Sequence, residues 1–518
     1  MGTPGSAAPA GRRRGLRLGV AGAVLAFLAL TTVQAVGINP YLPPDELYHV
    51  GYALVVRDGR LPELTTRVPQ DEAPLRVPDH GNRRIYTANH PPLYYLPVSL
   101  ALRIGSPPVA FLTARLVSVA FGAAGVLLVA WLALALLPSQ PRVAIGAAWF
   151  VALLPAVPHY SAFVYNDALG FMASTGAMVA AVLALRRGPT FWRLAALTLA
   201  AAAAALTRAP GVVLVGVAGL AAAAAWWLHD RRAGLARAAR SLGVGALVGG
   251  LGLASSIWFY LRNRALYGDL TGARYNAVLN RTPVEYDVSR LAVSPRYLLE
   301  LFDGLWVWTR FALTQIPVPR ALVLAPRVLA LVVLLGLLVA LVRVLAVRRS
   351  PGPATTLAPW LLVAGWLLVG FLMVAWYDGS GGRTHARYLL PVIGVAAVLA
   401  AVGLDALPGA RRGLITLVVS LGLLGLTAAA WGRFTDALLG LGPFGTQVPR
   451  GVADLVHQHG VPHAWLLLVP AALALLVALG LGQGGFWLLA GTGEPSGEPE
   501  PSGDETGAEP EQRAGLHT

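Results

Sequence analysis

The 518-residue chain contains no cysteine and no lysine, and only 13% of its residues are charged. Without cysteine, disulfides, thiolate nucleophiles and cysteine-based metal sites are excluded. Soluble domains carry about 25% charged residues, whereas this chain is 56% hydrophobic, with a mean hydropathy of +0.63. A water-soluble protein of this length cannot hide so much apolar surface, and we therefore expect lipid to be its main solvent.

All 40 basic residues are arginine, and the formal net charge is +15. The arginines are scattered between apolar runs, a pattern that indicates membrane topology rather than nucleic-acid binding. The sequence contains no Walker loop, no Gly-x-Ser-x-Gly elbow and no His/Glu cluster with zinc-ligand spacing. We therefore predict no metal site and no cofactor, while a requirement for a divalent metal stays open.

Apolar runs of roughly 17–25 residues, the length that a hydrocarbon core requires, recur along the chain. They predict an all-α polytopic membrane protein of about twelve transmembrane helices. The short apolar segment 90–104 begins with two prolines and is predicted to lie at the outer membrane interface instead. The predicted spans are 16–37, 109–137, 143–163, 167–186, 191–207, 210–228, 241–261, 321–344, 359–376, 388–405, 413–431 and 464–489.

Arginines also predict the orientation. Four of them lie between Arg12 and Arg17, so the N-terminus should be cytoplasmic, and later arginine clusters fall on alternate connections. Of the 25 acidic residues, seven lie after residue 490 and sixteen fall on the predicted outer side. The outer side then carries two long segments, 38–108 and 262–320, and a shorter one at 432–463.

Two polar motifs lie in the first outer segment. Pro43-Pro44-Asp45-Glu46-Leu47-Tyr48-His49 places an acidic pair just after the first span. Asp45 is either a helix N-cap or, with Glu46, a general base for an acceptor hydroxyl. His49 is a candidate substrate-binding residue. In Asn89-His90-Pro91-Pro92-Leu93-Tyr94-Tyr95, an interfacial aromatic belt explains the tyrosines. It does not explain His90, which is a candidate ligand for a lipid phosphate.

Two further motifs occur at predicted outer boundaries. Asn166 and Asp167 are either caps of the next helix or functional residues, which would bind an acceptor sugar or support Asp45. Asp167 is the single acidic residue between positions 80 and 229, which favours a role in binding. Arg262 and Arg264 oppose the positive-inside trend; they either snorkel or bind a phosphate.

The last motif combines Tyr377-Asp378 with the run Arg383-Thr384-His385-Ala386-Arg387-Tyr388-Leu389-Leu390-Pro391. The motif is either a short polar loop or a second group of cationic side chains at an outer membrane boundary. Two arginines, Arg383 and Arg387, again lie at an outer boundary, where a phosphate is the natural partner. Tyr377, Arg383, Arg387 and Tyr388 are therefore candidate substrate-binding residues.

These motifs, over residues 16–405, resemble the GT-C superfamily of membrane glycosyltransferases, nearest to the branch of protein O-mannosyltransferases and aminoarabinose transferases. Segment 64–89 and the chain after about 406 have no counterpart in that family. The motifs that carry the resemblance are Asp45-Glu46, His90-Pro91-Pro92-Leu93, Asp167 and Arg387-Tyr388-Leu389-Leu390-Pro391.

The resemblance implies a GT-C-like bundle with a large first outer loop, a polyprenyl-phosphate-linked sugar donor and an inverting displacement on the outer face of the cell membrane. It implies that Asp45 takes the proton of the acceptor hydroxyl. His90 and Arg387, with Arg262 or Arg264, would hold the departing phosphate. The sugar stays open, as does the acceptor, which is a protein, a lipid or a polysaccharide.

We therefore predict three regions: a catalytic transmembrane module at 1–405, C-terminal spanning helices at 406–490, and a disordered acidic cytoplasmic tail at 491–518. A transporter or lipid flippase of the cell envelope is the main alternative, and a non-catalytic membrane subunit is the third. Transporters usually place charged groups near the bilayer midplane, between internal repeats. Such groups are scarce here and no repeat is visible, so the transferase interpretation is favoured.

Overall fold

The computed structural model describes residues 10–38, 40–41, 43, 45–77, 83–279, 287–307, 320–347, 354–380, 382, 385–408, 418–425 and 465–490. Across these residues the regular structure is helical, and the β-type pairing there is a single isolated bridge between Arg67 and Arg84. The predicted all-α architecture is confirmed.

The described residues contain seventeen α-helices with defined bounds, short 3-10 turns at Tyr86–Asn89 and Ala386–Leu389, and a further helical stretch at 418–425. The helices are α1 (Ala10–Gly37), α2 (Glu46–Arg57), α3 (Tyr95–Ala101), α4 (Pro107–Leu136), α5 (Pro141–Leu153), α6 (Ala156–Ser161), α7 (Asp167–Arg187), α8 (Phe191–Ala205), α9 (Pro210–His229), α10 (Gly234–Tyr267), α11 (Ala273–Leu279), α12 (Val288–Ala292), α13 (Pro295–Val307), α14 (Arg320–Val347), α15 (Ala354–Gly379), α16 (Leu390–Asp405) and α17 (Trp465–Ala490).

Many of these helices are suited to a bilayer. In the part of the chain that the structure describes, nine helices are long and apolar enough to cross a membrane, and α5 and α8 are shorter apolar helices. The chain is therefore a multi-pass membrane protein, as predicted. The predicted interfacial segment 90–104 contains only the seven-residue helix α3. The predicted sidedness and the boundary at residue 405 stay predictions.

One predicted span is wrong, because it is not a single continuous helix. The run 143–163 forms two helices, α5 and α6, separated by Leu154 and Pro155. Leu154 has φ −70° and ψ 113°, the extended conformation that a following proline imposes by steric clash. The predicted span 413–431 is described only at 418–425, and segments 432–463 and 491–518 lie outside the described residues.

Helix α7 lies at the centre of the bundle and α14 lies at its edge. In the apolar 18-residue stretch of each helix, 83% of α7 is buried inside the protein, compared with only 6% of α14. Small residues let neighbouring helices approach α7 closely. A Cβ added to Gly125 of α4 would lie 2.2 Å from the Phe171 ring, and one added to Gly394 of α16 would lie 2.7 Å from Thr175 Oγ1. These contacts fix the ends of α7 and α16, where the candidate site lies.

The C-terminal helix α17 packs along the first helix α1. A Cβ added to Gly15 would lie 2.9 Å from the Gly485 carbonyl oxygen, and one added to Gly22 would lie 2.7 Å from that of Ala478. Close backbone approach through small residues stabilises helix pairs in membranes. The predicted C-terminal region therefore contributes one helix that packs directly on the start of the chain.

Candidate active site

Asp45 lies in the turn between α1 and α2. Its backbone is left-handed, with φ 75° and ψ −22°, a conformation that Asp and Asn tolerate better than most side chains. Its side chain makes no capping hydrogen bond to α2. The interpretation of Asp45 as a side-chain cap is therefore wrong, and its carboxylate points toward other partners.

Glu46 is directed into a buried ion pair with Arg115 of α4. Arg115 Nε and Nη2 donate to the two carboxylate oxygens of Glu46 at 2.8 and 2.7 Å, and both side chains are 0% exposed. The backbone N–H groups of Tyr41 and Val164 donate to the same carboxylate, each at 3.1 Å. Glu46 therefore has its full set of partners and does not line the cavity described below. The structure separates the predicted catalytic pair, and only Asp45 reaches the cavity.

Asp45 connects the first and last sequence motifs. Arg387 Nη2 donates to Asp45 Oδ2, and the Tyr86 hydroxyl donates to Asp45 Oδ1. Arg387 precedes α16, 342 residues further along the chain. Its Nε and Nη1 are buried and have no hydrogen-bond partner among the described residues. A buried unpaired donor costs roughly 1–3 kcal/mol, so an anionic ligand would stabilise this guanidinium group.

Asp167 begins α7 and forms a second ion pair at the same cavity. Arg208, between α8 and α9, donates from Nη1 to Asp167 Oδ1. Within the described residues, the Nε and Nη2 atoms of Arg208 make no hydrogen bond. Sequence reasoning missed Arg208, although the signal was present. Like Arg262, it is an arginine at a predicted outer boundary, against the positive-inside trend.

The Tyr388 ring contacts both guanidinium groups. Its centroid lies 5.1 Å from Cζ of Arg208 and 5.4 Å from Cζ of Arg387, within the range of cation–π attraction. Tyr377 packs edge-on against Tyr388, with ring centroids 5.0 Å apart. This aromatic support holds two cations near each other although they come from distant parts of the chain.

A cavity of about 300 Å³ joins these groups. Its charged part contains the two ion pairs. A second part is apolar and lies between α9, α15 and α16, with Pro210, Val213, Gly370, Met373, Val374, Trp376, Pro391 and Val392 in its lining. A third part is polar and uncharged, with Tyr86, Thr87, Asn89, Thr271 and Asn276 in its lining.

His49 and His90 line the cavity beside the two arginines. Their rings are stacked with centroids 6.4 Å apart, and His49 Nδ1 lies 2.8 Å from the Tyr95 hydroxyl. Burial, helped by the charges of Arg208 and Arg387, lowers the pKa of both imidazoles well below its ordinary value. Both histidines are therefore neutral at pH 7 in the ligand-free protein, where His90 offers a phosphate a neutral hydrogen-bonding group.

Besides Glu46, three of the predicted site residues lie away from the cavity. Asn166 is buried and its Nδ2 donates to the Thr207 carbonyl at 3.1 Å. Arg262 donates to the Pro62 carbonyl at 2.9 Å, which ties α10 to segment 38–108, and Arg264 is exposed. None of the three lines the cavity. The structure thus does not bring them to the site, and Arg383 lies outside the described residues.

Comparison with solved structures finds similarity to ArnT from Cupriavidus metallidurans in the apo state, with a TM-score of 0.46 and 17% identity over 89% of this chain and 74% of that chain. For ArnT bound to undecaprenyl phosphate, the TM-score is 0.44 and the identity is 16%, over 89% of this chain and 76% of that chain. The archaeal oligosaccharyltransferase AglB from Archaeoglobus fulgidus, in complex with an inhibitory peptide and a dolichol-phosphate, gives 0.42 and 16% over 89% of this chain and 55% of that chain. Both are membrane glycosyltransferases. No protein-family model and no curated protein matches the chain.

Proposed function

We propose that this chain transfers a sugar from a polyprenyl-phosphate-linked donor to a hydroxyl acceptor at the outer face of the membrane, with inversion at the sugar C1. The observation that carries the proposal is the combination in one cavity of a carboxylate, two guanidinium groups and an apolar part. A lipid-linked sugar has matching chemistry, with an apolar chain, an anionic phosphate and a reactive carbon.

The apolar part of the cavity supports binding of the prenyl chain. It lies between helices long enough to span a membrane, α9 and α15. Two of its lining residues, Val213 and Trp376, remain 42% and 56% exposed, so this part is open to the exterior of the bundle. A prenyl chain can therefore lie partly in the protein and partly in the lipid that surrounds it.

Arg208 and Arg387 would hold the phosphate. A sugar phosphodiester carries one negative charge, and its leaving group, a phosphate monoester, carries up to two. Preorganised cations stabilise the charge that develops in the transition state more than the ground state. Two guanidinium groups around Tyr388, with the unpaired Nε and Nη1 of Arg387, therefore favour departure of the lipid phosphate.

Asp45 would act as the general base. Its carboxylate takes the proton of the acceptor hydroxyl, the acceptor oxygen forms a bond to C1, and the C1–O bond to the phosphate breaks with its electron pair on the phosphate. A positioned base contributes typically about 10²–10⁴-fold to such a step. Tyr86, which donates to Asp45 Oδ1, would orient the carboxylate; Asp167 would hold Arg208 in place.

The direct test is an assay of the purified chain in lipid nanodiscs against a panel of polyprenyl-phosphate sugars, with hydroxyl acceptors of the peptide, lipid and oligosaccharide classes and mass analysis of the products. We expect release of polyprenyl phosphate together with a new glycoside. The matched control is the Arg387→Gln variant, which should form no glycoside above background. Transport of the labelled lipid across proteoliposomes without glycoside formation would instead establish the flippase alternative.

A further inference from the structure

We propose that the uncharged polar part of the cavity is the sugar subsite, and that it selects a sugar with no negatively charged group. This inference rests on the proposed function, because it assumes that the cavity binds a sugar-linked lipid. It goes further by assigning the sugar to particular residues and by defining its charge class. The residue at the centre of the proposal is Asn89.

The wall of this subsite comes from two distant segments. Tyr86, Thr87 and Asn89 belong to segment 38–108, whereas Thr271 and Asn276 follow α10. The segments are joined directly, because Asn89 Nδ2 donates to the Thr271 carbonyl at 2.8 Å and Asn276 Nδ2 donates to the Tyr86 carbonyl at 3.3 Å. These bonds fix the wall before any ligand binds.

The Asn89 amide has a defined orientation. Its nitrogen faces a carbonyl oxygen, and exchanging nitrogen for oxygen would bring two acceptors together. The Oδ1 atom is consequently the remaining polar atom; it is buried and has no hydrogen-bond partner among the described residues. A buried acceptor without a donor is unfavourable. Because Asn89 lines the cavity, a sugar hydroxyl is the donor that fits.

The charges at the cavity explain why the sugar should carry no negative charge. Within the described part of the chain, the charged lining residues are Asp45, Asp167, Arg208 and Arg387, and each acid is paired with an arginine. An anionic phosphate takes up the donors that these arginines have left. A carboxylate on the sugar would then be desolvated close to Asp45 and Asp167 without a free cation beside it, which is costly.

The subsite also has the right place relative to the reacting atoms. Tyr86 lines it and donates to the carboxylate of Asp45, and Asn89 is followed directly by His90, which lines the same cavity as Arg387. A sugar held at Asn89 therefore lies next to the proposed base and beside the phosphate-binding arginines. This placement allows C1 to face the acceptor oxygen on one side and the phosphate on the other.

The test compares affinities for three lipids of the same prenyl length: bare polyprenyl monophosphate, the lipid linked to an uncharged sugar, and the lipid linked to a uronic acid. For the unmodified chain, we expect the uncharged sugar lipid to bind about tenfold more tightly than the uronic acid lipid. Asn89→Ala should weaken binding of the uncharged sugar lipid by about tenfold and leave the affinity for bare polyprenyl monophosphate unchanged.

Asn263→Ala is the matched control. Asn263 donates to the backbone carbonyl of Asn89 at 3.1 Å but does not line the cavity, so its removal tests whether loosening the loop alone has the same effect. For Asn263→Ala, we expect the same preference for the uncharged sugar lipid as in the unmodified chain. The melting temperatures of both variants are measured alongside. Equal affinity for the uncharged sugar lipid and the uronic acid lipid, or equal effects of Asn263→Ala and Asn89→Ala, would overturn the subsite. If bare polyprenyl monophosphate does not bind at all, the proposed function itself fails.

Discussion

Asp45 and Arg387 form an ion pair across the cavity, so the proposed base and a proposed phosphate ligand neutralise each other before any substrate binds. The pair is largely buried, with side-chain exposures of 15% for Asp45 and 8% for Arg387. An arriving phosphate must therefore compete with Asp45 for the guanidinium group. Binding of the donor and release of the base are linked by this contact.

We expect Asp45→Asn to separate binding from catalysis. Transfer should fall at least about 100-fold, because the amide cannot take the proton of the acceptor. Affinity for bare polyprenyl phosphate should rise, by about tenfold, because Arg387 loses a charged hydrogen-bond partner. Initial rates and lipid titrations on the same preparation measure the two effects.

Asp58→Asn is the control for that experiment. Asp58 is a carboxylate in the same segment, just after α2, but it pairs with Arg57 and Arg60 and does not line the cavity. Asp58→Asn should change neither the transfer rate nor the affinity for polyprenyl phosphate. Weaker binding of polyprenyl phosphate to Asp45→Asn would show that the ion pair does not restrain Arg387.

Arg208→Gln should slow sugar transfer by about 10²–10³-fold, the range found when one preorganised donor to a developing anion is removed. The loss should appear mainly in kcat, because the additional phosphate charge develops in the transition state. Arg264→Gln is the control, since Arg264 is exposed and lies outside the cavity. Equal kcat values for the two variants would remove Arg208 from the site. Steady-state kinetics with a saturating acceptor measure both.

Several features of this site are predictable from the sequence because membrane physics restricts where charge can lie. Charged residues within spans are costly, so Asp45, Asp167 and Arg387 had to occur at span boundaries. Their shared predicted sidedness groups them in the sequence. Arg208 meets the same criterion, because it directly follows the predicted span 191–207 at an outer boundary.

Other features depend on contacts that a linear pattern does not contain. Asp45 and Glu46 are adjacent and chemically alike, yet one faces the cavity and the other is buried with Arg115. The difference comes from the left-handed backbone at Asp45 and from an arginine 69 residues away. Arg262 has the sequence signal of a phosphate ligand but donates to the Pro62 carbonyl instead.

Glu46→Gln should affect folding rather than chemistry. Removing one partner of a buried ion pair costs about 3–5 kcal/mol, because Arg115 keeps its charge without a counter-charge. We expect a clearly lower melting temperature in detergent and a transfer rate per folded molecule within about twofold of the unmodified chain. Glu72→Gln, which breaks a more exposed pair with Arg57, should cost less than about 1 kcal/mol. A stable Glu46→Gln variant with about 100-fold slower transfer would return Glu46 to the catalytic role that the sequence suggested.

The buried imidazole of His49 should make the stability depend on pH. Its pKa in the folded protein is lowered well below the ordinary value, whereas in the unfolded chain it is about 6.5. Below pH 6.5 the unfolded state therefore binds a proton that the folded state does not, and the free energy of unfolding falls as the pH falls. This contribution amounts to about 1.4 kcal/mol per pH unit until the folded-state pKa is reached.

His49→Gln should flatten this dependence, because glutamine does not titrate. Melting temperatures of both proteins, measured in detergent from pH 7.5 down to pH 5.5, provide the comparison. We expect the curve of the unmodified chain to fall more steeply toward low pH, with the difference between the two curves growing below pH 6.5. Parallel curves would mean that His49 also gains its proton in the folded protein. The conclusion that its imidazole is neutral beside the arginines would then be wrong.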